Sequence, residues 1–140
     1  MRRLPADAIR LHESDLAIIP IEQAGFVILN FTLQFVPATR RASLLHRIYE
    51  GMLPGAALVL SEKVCFENPA QQAQMTQLHH AFKRANGYSD LEIAQKRTAL
   101  ENMMIPETTV QHHERLSSVG FSTIVQWFQC FNFVSILAVK

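Results

Sequence analysis

The chain is poor in glycine: Gly25, Gly51, Gly55, Gly87 and Gly120 are all it has in 140 residues, and no two lie close enough for a Gly-x-Gly turn. The sequence therefore shows no Gly-rich strand-to-helix turn of the kind on which open α/β sheets hold nucleotide-like cofactors. Gly51 and Gly55 flank a Leu-Pro loop after a helical stretch and do not mark such a turn. Cysteine is as scarce. Cys65 and Cys130 lie far apart, fit no metal-ligand spacing and sit in apolar, strand-like runs, which reads as two reduced core thiols. An excess of one charge is lacking too. Net charge is +1, too little for a general nucleic-acid binder. No apolar run reaches transmembrane length. Met1-Arg2-Arg3 is followed by Leu4-Pro5-Ala6-Asp7 instead of the apolar stretch of a signal peptide. The expectation is a cytoplasmic protein with no membrane partner and no direct contact with nucleic acid. With no internal repeat or low-complexity linker, residues 1–140 read as one domain or part of one.

Apolar residues make up 49% of the chain, enough for a core at this length. A short strand is expected over 8–13, with Asp15 just beyond its end. A second is expected over 26–35, where Val27-Ile28-Leu29 has the continuous apolar character of a strand buried on both faces. Residues 37–52 have helical periodicity: Leu44, Leu45, Ile48, Tyr49 and Met52 share one face, with Arg40, Arg41 and Arg47 turned away from it. Leu53-Pro54-Gly55 stops that helix, and a buried strand follows over 56–61. Helices are expected over 70–85 and 90–103, making residues 68–105 a helical insertion. Thr108-Thr109-Val110-Gln111 opens a last helix that Gly120 closes. Residues 122–131 and 133–139 are two strands close enough to form an antiparallel pair.

Residues 79–97, HHAFKRANGYSDLEIAQKR, carry the clearest chemical signal. Lys83, Arg84, Lys96 and Arg97 bracket a Gly87-Tyr88 turn, and Ser89-Asp90-Leu91-Glu92 is a capping box that starts a new helix. Two cationic helix ends meeting at one turn suit a carboxylate or a phosphate. Two solvated helix faces with scattered Lys and Arg would give the same composition. His79-His80 and His112-His113 are adjacent pairs whose side chains leave a helix in different directions, so they read as partly exposed positions and no metal site is expected. Ser61, Ser117 and Ser118 lie in no nucleophile elbow. The aromatics Phe121, Trp127, Phe128, Phe131 and Phe133 could offer a stacking platform for bases, but at strand spacing they read as core.

Four segments go further together. NFTLQFV at 30–36, LPGAALVLSEK at 53–63, FKRANGYSDLEIAQKR at 82–97 and WFQCFNF at 127–133 resemble carboxy-S-adenosyl-L-methionine synthase, in one register from about Ile9 to Lys140. The resemblance implies an α/β fold, the C-terminal part of a class I S-adenosylmethionine-dependent methyltransferase (Rossmann-like) fold. The visible chain would start inside the third strand, without the first strands and the Gly-rich loop. In that fold the sheet order is three, two, one, four, five, seven, six. The strand at 8–13 would then lose its neighbours and the one at 26–35 would become a bare apolar edge, so the chain alone is expected to be marginal or to need a partner supplying the first half, unless its first strand re-pairs.

The resemblance also implies site residues. Asp15 and Leu16 would lie beside the adenine of S-adenosyl-L-methionine, the carboxylate accepting from the exocyclic amine. Asn30 would lie near the sulfonium and carboxylate end. Arg97 would hold, across a homodimer interface, the carboxylate that distinguishes carboxy-S-adenosyl-L-methionine, a role suited to a planar, permanently charged fork. Lys83, Arg84 and Tyr88 would help to shape that pocket. Without the resemblance, Asp15 would be an ordinary capping residue, Asn30 would bond the next loop, and Arg97 would pair with Asp90 or Glu101. The implied reaction takes S-adenosylmethionine and prephenate to the carboxylated product and phenylpyruvate, without a metal, in bacterial tRNA wobble-uridine modification. An ordinary methyltransferase and a non-catalytic remnant or interaction subunit are the alternatives.

Overall fold

A computed structural model describes residues 9–101 and 103–140. Their element order is β1 (Ala24–Asn30), a 3-10 turn (Leu33–Phe35), α1 (Ala38–Gly51), β2 (Met52–Lys63), α2 (Pro69–Ala85), α3 (Asp90–Glu101), α4 (Thr109–Val119), β3 (Thr123–Cys130) and β4 (Phe133–Val139). β1 pairs parallel with β2, and α1 is the crossover that a parallel pair requires. β2 and β3 both pair antiparallel with β4, giving the order β1-β2-β4-β3. This is the four, five, seven, six end of the expected methyltransferase sheet.

The register explains the core. Leu29, Leu60 and Ile136 lie abreast, as do Val27, Leu58 and Ala138, so one sheet face carries a block of aliphatic side chains. Leu44, Leu45 and Ile48 of α1 and Leu116 of α4 complete that cluster. Pleating sends alternate residues to the other face. There Phe26 is 56% exposed and Ile28 60%. The Val27-Ile28-Leu29 run is thus buried on one face, not two, because no described element covers the second. Trp127 and Phe128 are exposed as well, on the outermost strand of the sheet, whereas Phe121 is buried edge-on against Tyr49 at 5.1 Å. The core reading of 127–133 therefore fails for Trp127 and Phe128. Cys130 is exposed and Cys65 only partly buried, so neither is a core thiol.

Two strand expectations also change. Residues 9–13 form no strand, since no described strand offers them a ladder (residue 8 lies outside the described residues). The strand expected over 26–35 ends at Asn30, where Phe31 takes a φ of 52° and the chain coils into the 3-10 turn. The helices come out close to expectation. Asn68 caps α2 through the Ala70 and Gln71 amides, Thr108 and Gln111 form the capping box of α4, and Gly120 leaves it at φ 120°. α2 presents no buried residue, and Ile93 of α3 is buried.

Gly51 lets the chain before β1 cross the end of α1. A Cβ there would fall 2.1 Å from the Ile21 carbonyl oxygen, too close for any real contact. Gly51→Ala is expected to cost about 1–3 kcal/mol in urea unfolding as that segment is forced away. Gly25→Ala, whose Cβ would meet nothing within 4 Å, serves as the neutral control.

Candidate functional site

The segment after β1, residues 31–36, separates two cavities, and a polar clamp holds it. Glu62, at the end of β2, accepts three backbone N–H groups: Leu33 at 2.8 Å and Thr32 at 3.3 Å on Oε1, and Gln34 at 2.9 Å on Oε2. Burial pushes its carboxyl up to about 7, although those three bonds and the nearby Arg41 act to lower it. Gln34 in turn accepts the Lys63 amide on its side-chain oxygen at 2.9 Å.

Arg41 of α1 is fully buried. Its Nε donates to the Val36 carbonyl at 2.9 Å and its Nη2 to Ile105 at 2.8 Å and Gln34 at 3.3 Å. Its Nη1 lies 2.5 Å from Glu107 Oε2. Arg115 of α4 grips the same carboxylate with both guanidinium nitrogens, at 2.7 and 2.5 Å, and the two arginines hold Glu107 below the usual carboxylate range against its burial. Arg41 was expected to point away from the apolar face. It stands on that face, at helical spacing from Leu44, Leu45 and Ile48, because the cluster satisfies its charge.

The first cavity, about 380 Å³, lies between residues 15–17, residues 35–37 and α1. Asp15 Oδ1 accepts from the Ala17 amide at 2.8 Å, forming a turn. Arg47, also expected to face away, donates to the Leu16 and Ala17 carbonyls and pins that turn to the helix. Leu16, Val36 and Leu44 make the walls largely apolar around one exposed carboxylate. That suits a flat heterocycle bearing an amine donor.

The second cavity, about 560 Å³, opens on the other side of residues 31–36, under α2 and α3. Lys63, Lys83, Lys96 and Arg97 line it, and no carboxylate does among the described residues. His79, half-buried on its wall, packs edge-on against Phe133 at 4.9 Å. Burial first, then Lys83, Lys63 and His80, push its imidazole down to about 4, so it is neutral at pH 7.

The structure thus divides the residues that the sequence offered as one site. Asp15 and Leu16 wall the first cavity and Arg97 the second, with Lys83 beside it. Asn30 walls neither: it is exposed at the end of β1, and its carbonyl accepts from Thr32 Oγ1 at 3.1 Å. Arg84 pairs with Asp90 at 2.7 Å, and Lys96 stands over the Tyr88 ring at 4.8 Å. His112, expected to be partly exposed, is buried and pushed down to about 4 by that burial. No three His, Cys, Asp or Glu among the described residues come together as a metal site. Sequence reasoning missed Glu62, Lys63 and the Arg41–Glu107–Arg115 cluster. The one signal that could have found any of them, the helical spacing of Arg41 from Leu44, Leu45 and Ile48, was read the other way.

No protein-family model matches the chain. Curated relatives do. The chain is 59% identical over 127 residues to the carboxy-S-adenosyl-L-methionine synthase of Trichlorobacter lovleyi, covering 91% of this chain and 52% of that protein. It is 54% identical over 132 residues to the synthase of the same name from Marinobacter nauticus, covering 94% and 53%. Among solved structures, human N-acetylserotonin methyltransferase in complex with SAM superposes with a TM-score of 0.61 at 22% identity, covering 92% of this chain and 33% of that one. An O-methyltransferase family 2 protein from Planctomyces limnophilus gives 0.64 at 18% identity, covering 96% and 35%. These distant structures share the fold, which is that of S-adenosylmethionine-dependent methyltransferases. The chain spans about half the length of the curated relatives it matches, and over nearly all of its own length it is a homologue of the carboxy-S-adenosyl-L-methionine synthases.

Proposed function

We propose that this chain is the part of a carboxy-S-adenosyl-L-methionine synthase that carries the adenine-side turn and the carboxylate-binding arginine. The whole enzyme would transfer carbon dioxide from prephenate to the methyl carbon of S-adenosylmethionine. The products are carboxy-S-adenosylmethionine, phenylpyruvate and water, and the carboxylated product serves cytoplasmic tRNA wobble-uridine modification. The observation that carries this is the 59% identity across 91% of the chain.

The residues present fit S-adenosylmethionine in parts. The apolar first cavity with the Asp15 carboxylate suits the adenine and its amine. When bound, the sulfonium supplies an electron-poor methyl carbon. Asn30, in neither cavity, stands where the C-terminal end of a strand can offer an amide to a ligand in the adjoining crevice. Arg97 is exposed beyond α3's first turns, where it can reach a carboxylate held by a second subunit of a homodimer.

Fusing this chain to the complementary part of the Trichlorobacter lovleyi synthase, then supplying S-adenosylmethionine and prephenate, tests this. Carboxy-S-adenosylmethionine is expected by mass spectrometry. Arg97→Ala in the fusion is expected to lower its formation about 10- to 100-fold, the size of one charge-assisted contact. A folded fusion that makes none sinks the synthase reading. The methyltransferase fold favours one other reading, ordinary methyl transfer. In that case the fusion would methylate an acceptor, and its cofactor binding would ignore Arg97.

A further inference from the structure

The turn at residues 31–36 is held more firmly than a connection between β1 and α1 requires. Three successive residues at the end of β2 grip it. The Ser61 carbonyl accepts the Phe31 N–H at 2.8 Å, the Glu62 carboxylate accepts those of Thr32, Leu33 and Gln34, and the Lys63 N–H donates to Gln34 Oε1 at 2.9 Å. From the other side, Arg41 donates to the Gln34 and Val36 carbonyls.

The grip has two costs. Phe31 takes a φ of 52°, in the left-handed region that a bulky side chain disfavours. Glu62 is 1% exposed, and burial disfavours its ionised form. A surface loop would satisfy the same amides with water and bear neither cost. Local conformations held against such costs cluster where exact placement serves a ligand.

The lining of the two cavities shows what the turn places. Phe31 and Gln34 wall the second cavity, while Phe35 and Val36 wall the first. The turn is a single 3-10 unit, closed by the Phe35 N–H on the Thr32 carbonyl and the Val36 N–H on the Leu33 carbonyl. Its two sides therefore move together. Glu62 itself lines neither cavity.

We infer that Glu62 is a positioning residue: by fixing the 31–36 turn it sets the walls of both cavities at once, without touching a ligand in either. This rests on the synthase reading for the two ligands, S-adenosylmethionine and prephenate, and adds a residue which that reading does not use.

The fusion with the complementary Trichlorobacter lovleyi part tests this, by calorimetric titration with S-adenosylmethionine and by steady-state assay with both substrates. Glu62→Gln keeps the size of the side chain but points an amide nitrogen at a backbone donor, which frees the turn. It is expected to weaken S-adenosylmethionine binding about tenfold and to raise the KM for prephenate by a similar factor. Glu62→Asp, one methylene shorter, is expected to rescue neither value. Ile48→Val, a core truncation in α1 that lines neither cavity, is expected to lower stability and leave both values unchanged. Circular dichroism and urea midpoints select conditions in which every variant is folded. Should Glu62→Gln not fold, Gln34→Ala takes its place, since it releases the Lys63 contact and keeps the carboxylate. It is expected to weaken S-adenosylmethionine binding about threefold, although Gln34 walls only the second cavity. Parent affinity in folded Glu62→Gln, or in Gln34→Ala where that variant replaces it, overturns the proposal. So does an equal loss in Ile48→Val, since stability alone would then explain it. The two readings fail separately. Glu62-dependent binding of S-adenosylmethionine with no carboxylated product rejects the synthase reading alone. Product formed by Glu62→Gln with the parent's constants rejects the positioning role alone.

Discussion

Arg41→Ala is expected to unfold the chain or bring it to the edge of unfolding. The substitution removes a fully buried guanidinium whose nitrogens serve the Val36, Gln34 and Ile105 carbonyls and the Glu107 carboxylate. Breaking a buried ionic cluster from one side costs about 3–5 kcal/mol, because the groups left behind stay desolvated. A domain typically has about 5–15 kcal/mol in all. Arg41→Lys is not expected to rescue it, since one ammonium cannot reproduce the fork that spans three carbonyls and a carboxylate. Arg40→Ala, one position earlier and exposed, is the control. Urea unfolding of the three variants decides the matter. A loss below about 1 kcal/mol for Arg41→Ala would show that the cluster is close to neutral for stability.

The second large effect is a pair of opposed pH dependences. Glu62 is pushed up from 4.5 to about 7 in the folded chain. Between those values the folded state holds a proton that the unfolded chain has released. Its contribution to stability is therefore full below pH 4.5 and lost as pH rises through about 7. His112 runs the other way, pushed down from 6.5 to about 4. Its contribution is full above pH 6.5 and lost as pH falls through about 4. Each is worth on the order of 3 kcal/mol at most, so between pH 4.5 and 6.5 they largely cancel. His79 shifts in the same direction as His112 but is half-exposed, and adds a gentler slope of the same sign.

Glu62→Gln is expected to remove one side of this balance. Stability should then climb with pH across 4.5–6.5, by up to about 1.4 kcal/mol per unit beyond the parent chain. It should also be lower throughout, because the amide nitrogen cannot accept the backbone N–H groups that the carboxylate oxygens accept. His112→Leu should do the reverse, with stability falling as pH rises toward 7. Urea midpoints of the three proteins from pH 4.5 to 7.5 give the slopes. A Glu62→Gln profile parallel to the parent's would show that this carboxyl ionises at its ordinary value.

Glu62 also shows why the site was only partly legible. In the sequence it is one residue of LSEK at a strand end, with nothing to say that it reaches three amides some thirty residues earlier. Those bonds end β1 at Asn30, where strand propensity alone would have run on to residue 35. The basic insertion was legible as a cation cluster. That Lys63 joins it, that Arg84 leaves it for Asp90, and that the side-chain oxygen of Asn132 is buried without a partner on its wall follow from how β2, α2 and the turn before β4 meet.

The sequence by itself determined what is local or periodic. It carried α1, α2, α3 and α4, the capping boxes at Ser89 and Thr108, the β3–β4 hairpin, the scarcity of glycine turns, and the register of likeness to the synthases. Tertiary structure alone decided which residues share a cavity, which charges are buried, and which apolar runs are covered. Arg41 looked solvated and is buried, while Trp127 and Phe128 looked buried and are exposed. The physical reason is common to both. Helical period and capping depend on neighbours a few residues away, whereas burial depends on which distant element lies opposite, and a charge can enter the core only where remote partners satisfy it.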